Sequence, residues 1–465
     1  MFSRRLKKGY FVLEGLNSFA TVYFFYYLYF FMQKAYGFGN KANLVLAALN
    51  GATYALMAWF GGKFAQRYGY FTALKLGYAI MALALTLGLG ARTSAGVVRA
   101  MVLTVVGMSF TWPTLEALVS EGEPRAGLQH MVGIYNVVWA ATAALANFSG
   151  GAMLQKLGLA SLFYIPIGIH VSQLGLTFWL ESKSDTSMDQ ARLAAGPASE
   201  AGRVVALQAA RITSALEAKF APETWRKQDS LVNGQSSTPD PIQGRVEPMV
   251  PEVRDPAADR RGVTGVASEG RGVSEDRFAI PKARRFLRMA WLANPFAYIA
   301  INTLIAVVPG VARRLELSTM AAGFCCSTWC FSRLGTFALL WRWTGWHYRF
   351  RWLLLSYLGL VASFAGTVLA PNITVLVISQ LIFGGAVGLL YYSSLFYSMD
   401  RSETKGEHGG IHEAVIGLGN CAGPAVGAAT LQLLPQHSQS GIAAVIVLLL
   451  CGLCGLIGIW KAKTN

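Results

Sequence analysis

"FVLEGLNSFATVYFFYYLYFFM" (residues 11–32) reads as a helix that crosses a bilayer with one side turned away from lipid. A run of about 20 apolar residues, at about 1.5 Å per residue, spans the roughly 30 Å hydrocarbon layer. Glu14, Asn17, Ser18 and Thr21 recur at i, i+3, i+4 and i+7, so they share one helix face. Polar groups on a membrane helix face protein or water rather than acyl chains. That face either lines a cavity or supplies interhelical hydrogen bonds, and it predicts packing inside a bundle.

The same kind of segment returns along the chain. About twelve are recognisable: 11–32, 44–62, 72–90, 98–119, 131–153, 160–180, 289–309, 320–341, 352–370, 374–398, 412–434 and 441–460. With 54% hydrophobic and 14% charged residues, and a mean hydropathy of +0.41, the chain is too apolar for a soluble protein. The predicted fold class is an all-α integral membrane protein with several spans. The N-terminus is basic and then apolar, but the apolar run has no small-residue cleavage pattern, so it reads as a retained first span rather than a signal peptide. "SRRLKK" (3–8) faintly resembles a twin-arginine export signal; an inner basic flank is the better reading.

Lys and Arg in the short connecting segments favour the side of the N-terminus by about two to one, which predicts both termini in the cytoplasm. The net charge of +16 then follows from topology and attraction to anionic membrane lipid, and nucleic acid is not needed to explain it. All six cysteines fall within spans and lack paired metal-binding spacing, so no metal, cofactor or disulfide is expected.

The spans form two groups of six, which divides the chain into bundles at 1–180 and 289–465. The separator, 181–288, is rich in Pro, Gly, Ser, Arg and Asp and reads as a largely disordered cytoplasmic linker. Within it, Val205, Ala209, Ile212, Leu216 and Phe220 recur at helical spacing, as in an amphipathic helix on the membrane face. At a constant offset of 277, Gly107, Gly133, Val138, Gly150, Leu154 and Gln155 match Gly384, Gly410, Val415, Gly427, Leu431 and Gln432, which predicts two related halves. Two six-span halves of like topology fit a transporter that rocks about a midplane site.

Between spans 2 and 3, "GGKFAQRYGYF" (61–71) resembles the loop signature of the major facilitator superfamily. Gly62, Arg67 and Gly69 match, whereas Gln66 stands where that family usually has Asp. The resemblance implies a gating loop, with Gln66 making a weaker link to the N-terminus of span 11. Of the antiporter branch's Gly-Pro-x-x-Gly-Gly pattern, span 5 keeps only Gly150 and Gly151, while Gly423, Pro424 and Gly427 stand in span 11. Packing glycines would give the same pattern.

The resemblance implies that spans 1, 4, 7 and 10 line a central cavity. Their polar residues agree: Glu14, Asn17 and Thr21 on span 1, Trp112 and Glu116 with Ser109 on span 4, Tyr298 and Asn302 with Asn294 on span 7, and Tyr391, Tyr392, Ser394 and Tyr397 on span 10. A carboxylate that changes protonation with access to each side is the simplest proton-coupling device, and Glu14 and Glu116 fit it. Glu413 sits at the predicted start of span 11, where the helix dipole would stabilise it. His170 reads as a packing histidine. Arg333, about 12 Å deep in span 8, either holds an anionic substrate group or pairs with a carboxylate such as Glu116.

The expected function is therefore a secondary active transporter, not an enzyme: a monomer that moves a small molecule by alternating access, coupled to protons or another ion. No GxxxxGK[ST] loop is present for ATP-driven transport. The alternative is a membrane-embedded enzyme or a non-transporting receptor. His408 and His412 have chelating spacing, but Gly409 and Gly410 between them favour a loop.

Overall fold

The protein is described by a computed structural model covering residues 4–120, 125–194, 272–401 and 405–462. Thirteen helices make up the fold of the described residues. They are α1 (Arg4–Tyr36), α2 (Asn40–Tyr68), α3 (Tyr70–Leu89), α4 (Ser94–Ser120), α5 (Arg125–Lys156), α6 (Ser161–Ala194), α7 (Gly272–Arg314), α8 (Thr319–Cys326), α9 (Thr328–Arg342), α10 (Phe350–Val368), α11 (Ile373–Arg401), α12 (Lys405–Leu433) and α13 (Ser440–Lys461).

Every predicted span corresponds to a helix, with one difference. Span 8 is two helices, α8 and α9, because the ladder breaks at Ser327. Neither Pro nor Gly stands there. Instead Ser327 Oγ donates to Phe324 O (2.9 Å) and Thr328 Oγ1 to Cys325 O (2.8 Å), so side chains occupy carbonyls that a continuous ladder would use. Ten of the described helices are long and apolar enough to cross a membrane. The polar-striped α1 and the α8–α9 pair complete a twelve-span layout.

Most helices outrun their predicted spans. α6 continues to Ala194 and α7 begins at Gly272, so both ends of the predicted linker are helical. The proposed helix at 199–220 and the side chains of His408 and His412 lie outside the described residues. The described residues up to Asp185 and from Ser274 onward form one compact unit.

Packing in the first half repeats in the second. α4 packs on α2 and α3, and α11 correspondingly packs on α9 and α10. Single charged groups tie helices together within each half. Lys75 on α3 meets Glu181 on α6 at 2.8 Å, and Arg314 at the end of α7 donates to Val368 O (2.6 Å) and Ala370 O (3.2 Å) at the end of α10. The outer surface exposes Leu56, Leu83, Val171, Ile378 and Val447, as a lipid-facing surface should.

Among the described residues, the two most extensive meetings of the halves are α2 against α12 and α5 against α8 and α9. On the first, a β-carbon on Gly417 would lie 2.5 Å from the Ala55 backbone, and one on Gly51 would strike the backbone of Asn420 and Cys421. Only glycine permits so close an approach. On the second, Met320 N donates to Gln155 Oε1 (3.0 Å), and Phe148 packs on Phe324 and Phe331.

The turn between α2 and α3 is a single residue, Gly69, at φ +93° and ψ 150°. That conformation is open to glycine and closed to most side chains. Gln66 and Arg67 beside it are exposed. Gly62 is buried about two turns before Gly69.

Candidate functional site

Arg333 lies nine residues from the α9 C-terminus, about 13 Å along the axis, and is 5% exposed. Its guanidinium is held between two indoles. The Trp139 ring centre on α5 is 4.5 Å away and the Trp329 ring centre on α9 is 4.6 Å away. One ring comes from each half. Trp139 is oriented by its Nε1 donating to Asn136 Oδ1 (2.9 Å), and Ser18 Oγ on α1 donates to the Trp139 carbonyl (2.8 Å). Trp329 stacks on Tyr26 and meets the edge of Phe383.

The two rings offer the guanidinium π faces and no hydrogen-bond acceptor. Nε has no hydrogen-bond partner, and Arg333 forms no ion pair among the described residues. The predicted pairing with Glu116 is therefore not formed.

The acids gather around a different point. Glu14, Glu116 and Glu413, from α1, α4 and α12, lie close enough to repel one another electrostatically. Glu14 is fully buried, and its carboxylate oxygens have no geometrically satisfactory hydrogen-bond partner, although the Tyr135 hydroxyl is in interaction range. Glu413 accepts a hydrogen bond from Tyr54 across the α2–α12 seam (2.7 Å). The dipole reading of Glu413 fails for a simple reason. α12 begins at Lys405, so Glu413 lies two turns inside the helix, beyond the reach of its N-terminal partial charge.

Tyr298 and Tyr391 are in electrostatic range of Arg333 and also of Glu116 and Glu413, so they join the basic and acidic parts of the site. Their ring centres are 6.4 Å apart. Trp112 meets Trp139 edge-on, and Tyr392 packs on Phe337 and Trp346.

The remaining predicted residues divide into engaged and unengaged groups. Thr21 Oγ1 donates to Asn17 O (2.7 Å), and Asn302 Nδ2 donates to Asn420 Oδ1 within the second half. Asn17 is buried with neither amide atom partnered, and the Ser394 hydroxyl is likewise buried without a partner. His170 packs as expected, with Nδ1 2.8 Å from Gln173 Oε1.

Sequence reasoning missed Trp139, Tyr54 and Tyr135. Trp139 and Asn136 are three residues apart on one helix, which is a usable signal for an oriented indole, but nothing local announces that its face meets Arg333. Among the described residues no cluster of His, Cys, Asp and Glu is arranged to hold a metal ion.

A sequence profile of the Major Facilitator Superfamily matches residues 7–237. The chain belongs to the major facilitator superfamily. Solved structures of transporters share its fold over 98% of its length. The peptide transporter POT in complex with sulfate matches with a TM-score of 0.62 at 14% identity, over 94% of that chain. The nucleoside transporter NupG matches with 0.61 at 12%, and the human organic anion transporter MFSD10 with 0.57 at 14%, each over 100% of its own chain. At these identities the likeness concerns the fold. No curated protein sequence matches this superfamily member. Family and fold together make it a multi-pass membrane transporter.

Proposed function

We propose that this transporter is a proton-coupled secondary carrier that moves a small solute by rocking its two halves about the site between Arg333 and the three glutamates. The observation that carries this reading is the origin of the acids. Glu14 and Glu116 belong to the first half and Glu413 to the second, and they share one buried region. Like charges in a water-poor site repel, and binding a proton is the smallest change that relieves the repulsion.

Because the acids come from both halves, their repulsion depends on how closely the halves approach. Protonation then favours the closed arrangement and proton loss favours separation. The Tyr54–Glu413 hydrogen bond lies on the same seam and is made only while that seam is closed. The excess of Lys and Arg on the terminal side supports cytoplasmic termini, and the chain acts as a monomer within its lipid.

The test is uptake and efflux of a panel of metabolites and drugs in proteoliposomes, with and without an imposed pH gradient. Gradient-driven movement of at least one solute is expected. Glu14→Gln, Glu116→Gln and Glu413→Gln should weaken the dependence on the gradient. Failure of every solute to move, or undiminished proton coupling in all three variants, overturns the proposal.

A further inference from the structure

We infer that the substrate is a small organic monoanion, a carboxylate on a flat apolar body, whose charged head is received by the edge of Arg333. This rests on the transport reading above and adds the chemical class of the solute. Three observations lead to it.

The first is charge. A buried cation is retained only with compensation for its lost hydration. Two indole rings return part of that through cation–π attraction. Neither is an anion, and no carboxylate forms an ion pair with Arg333 among the described residues. A bound carboxylate completes the compensation.

The second is geometry. The guanidinium carbon lies over both the Trp139 and Trp329 rings, and the buried Nε beside them has no hydrogen-bond partner, so an N–H of the fork is left for recognition. A planar fork held in this way matches the two oxygens of a carboxylate. Lysine offers no such plane.

The third is the surrounding wall. Around the clamp, Trp139 meets Phe337 and Tyr391 edge-on, and Trp329 stacks on Tyr26. This surface suits an apolar or aromatic body. One fixed cation with three glutamates in the same site disfavours a dianion. Tyr298 and Tyr391 are in electrostatic range of the arginine and of Glu116 and Glu413, so an anion held by Arg333 would sit in the same field as those acids. Head-group recognition and proton coupling are therefore neighbouring events.

The test uses the full chain in nanodiscs, with benzoate, its neutral isostere benzamide, and inorganic sulfate as probes, read by calorimetry. Benzoate should bind at least tenfold more tightly than either of the others. Arg333→Gln should weaken benzoate by about 30-fold or more, as for loss of one partner in a buried charge pair. Arg333→Lys should recover part of that loss, which a purely structural role would not produce. Thermal melting checks that both variants remain folded.

Equal binding of benzoate and benzamide, stronger binding of sulfate, absence of benzoate binding, or full benzoate affinity in folded Arg333→Gln overturns the inference. If Arg333→Gln does not fold, equal affinities of the wild-type chain for benzoate and benzamide still refute it. Failure here is distinct from failure of the transport proposal. Other solutes could follow a pH gradient without benzoate binding, and benzoate could bind tightly without any gradient-driven flux.

Discussion

The two seams between the halves are built on opposite principles. Where α2 meets α12, backbones touch through Gly51 and Gly417, and one side-chain bond, Tyr54 to Glu413, crosses the seam. Where α5 meets α8 and α9, the contact is made by large and polar side chains. Phe148 lies on Phe324 and Phe331, Asn147 reaches Cys330, Gln155 holds Met320, and Trp139 covers Arg333. The first seam has a single close fit with no room for an added atom. The second can change rotamers and remain in contact. On the function proposed above, recognition would belong to the second and steric control of closure to the first.

The strongest way to break this contrast is to empty the side-chain seam at its centre. Trp139→Ala should lower stability by about 3–5 kcal/mol, as for other large buried truncations. Because it also removes one ring from beside the Arg333 guanidinium, the loss should exceed that of Phe337→Ala, a ring that packs on Trp139. Thermal melting of the two variants in detergent decides the point.

Overfilling the glycine seam comes next. Gly51→Ala should destabilise the closed arrangement by about 1–3 kcal/mol, the usual range for overpacking. Its β-carbon would strike the backbone at Asn420 and Cys421, so the expected signature is faster maleimide labelling of Cys421, measured with the other cysteines replaced. An unchanged labelling rate would mean that the seam yields elsewhere.

The smallest effect sharpens the comparison. Tyr54→Phe keeps the ring and removes one hydrogen bond to a carboxyl group, which should lower stability by about 1–3 kcal/mol or less. If Glu413 takes part in coupling, the same variant should shift the pH dependence of flux while leaving the maximal rate within about threefold of wild type.

Much of the fold was legible because bilayer thickness imposes its length on each span. Hydropathy located all the spans, and the stripe of Glu14, Asn17 and Thr21 correctly indicated a buried face. The break at Ser327 was not legible, since serine and threonine occur in continuous membrane helices, and Ser393 makes the same kind of bond inside the unbroken α11, whereas here two consecutive residues make it. The position of Glu413 was misread because the loop-like "KGEHGGIH" continues the helix back to Lys405. The clamp on Arg333 was hidden more deeply. A cation and the indole that covers it come from different halves, and no local spacing records that meeting.

The charged ties within each half have a mechanical consequence. Lys75 fastens α3 to α6, and Arg314 fastens α7 to the carbonyl end of α10, so each half carries an internal brace. The braces couple helices that would otherwise slide past one another in a fluid medium. If the halves rock as proposed, a load at the Arg333 clamp would act on helices tied to their neighbours. A movement of less than one helical turn there would then be magnified at the far rim, as at the long arm of a lever.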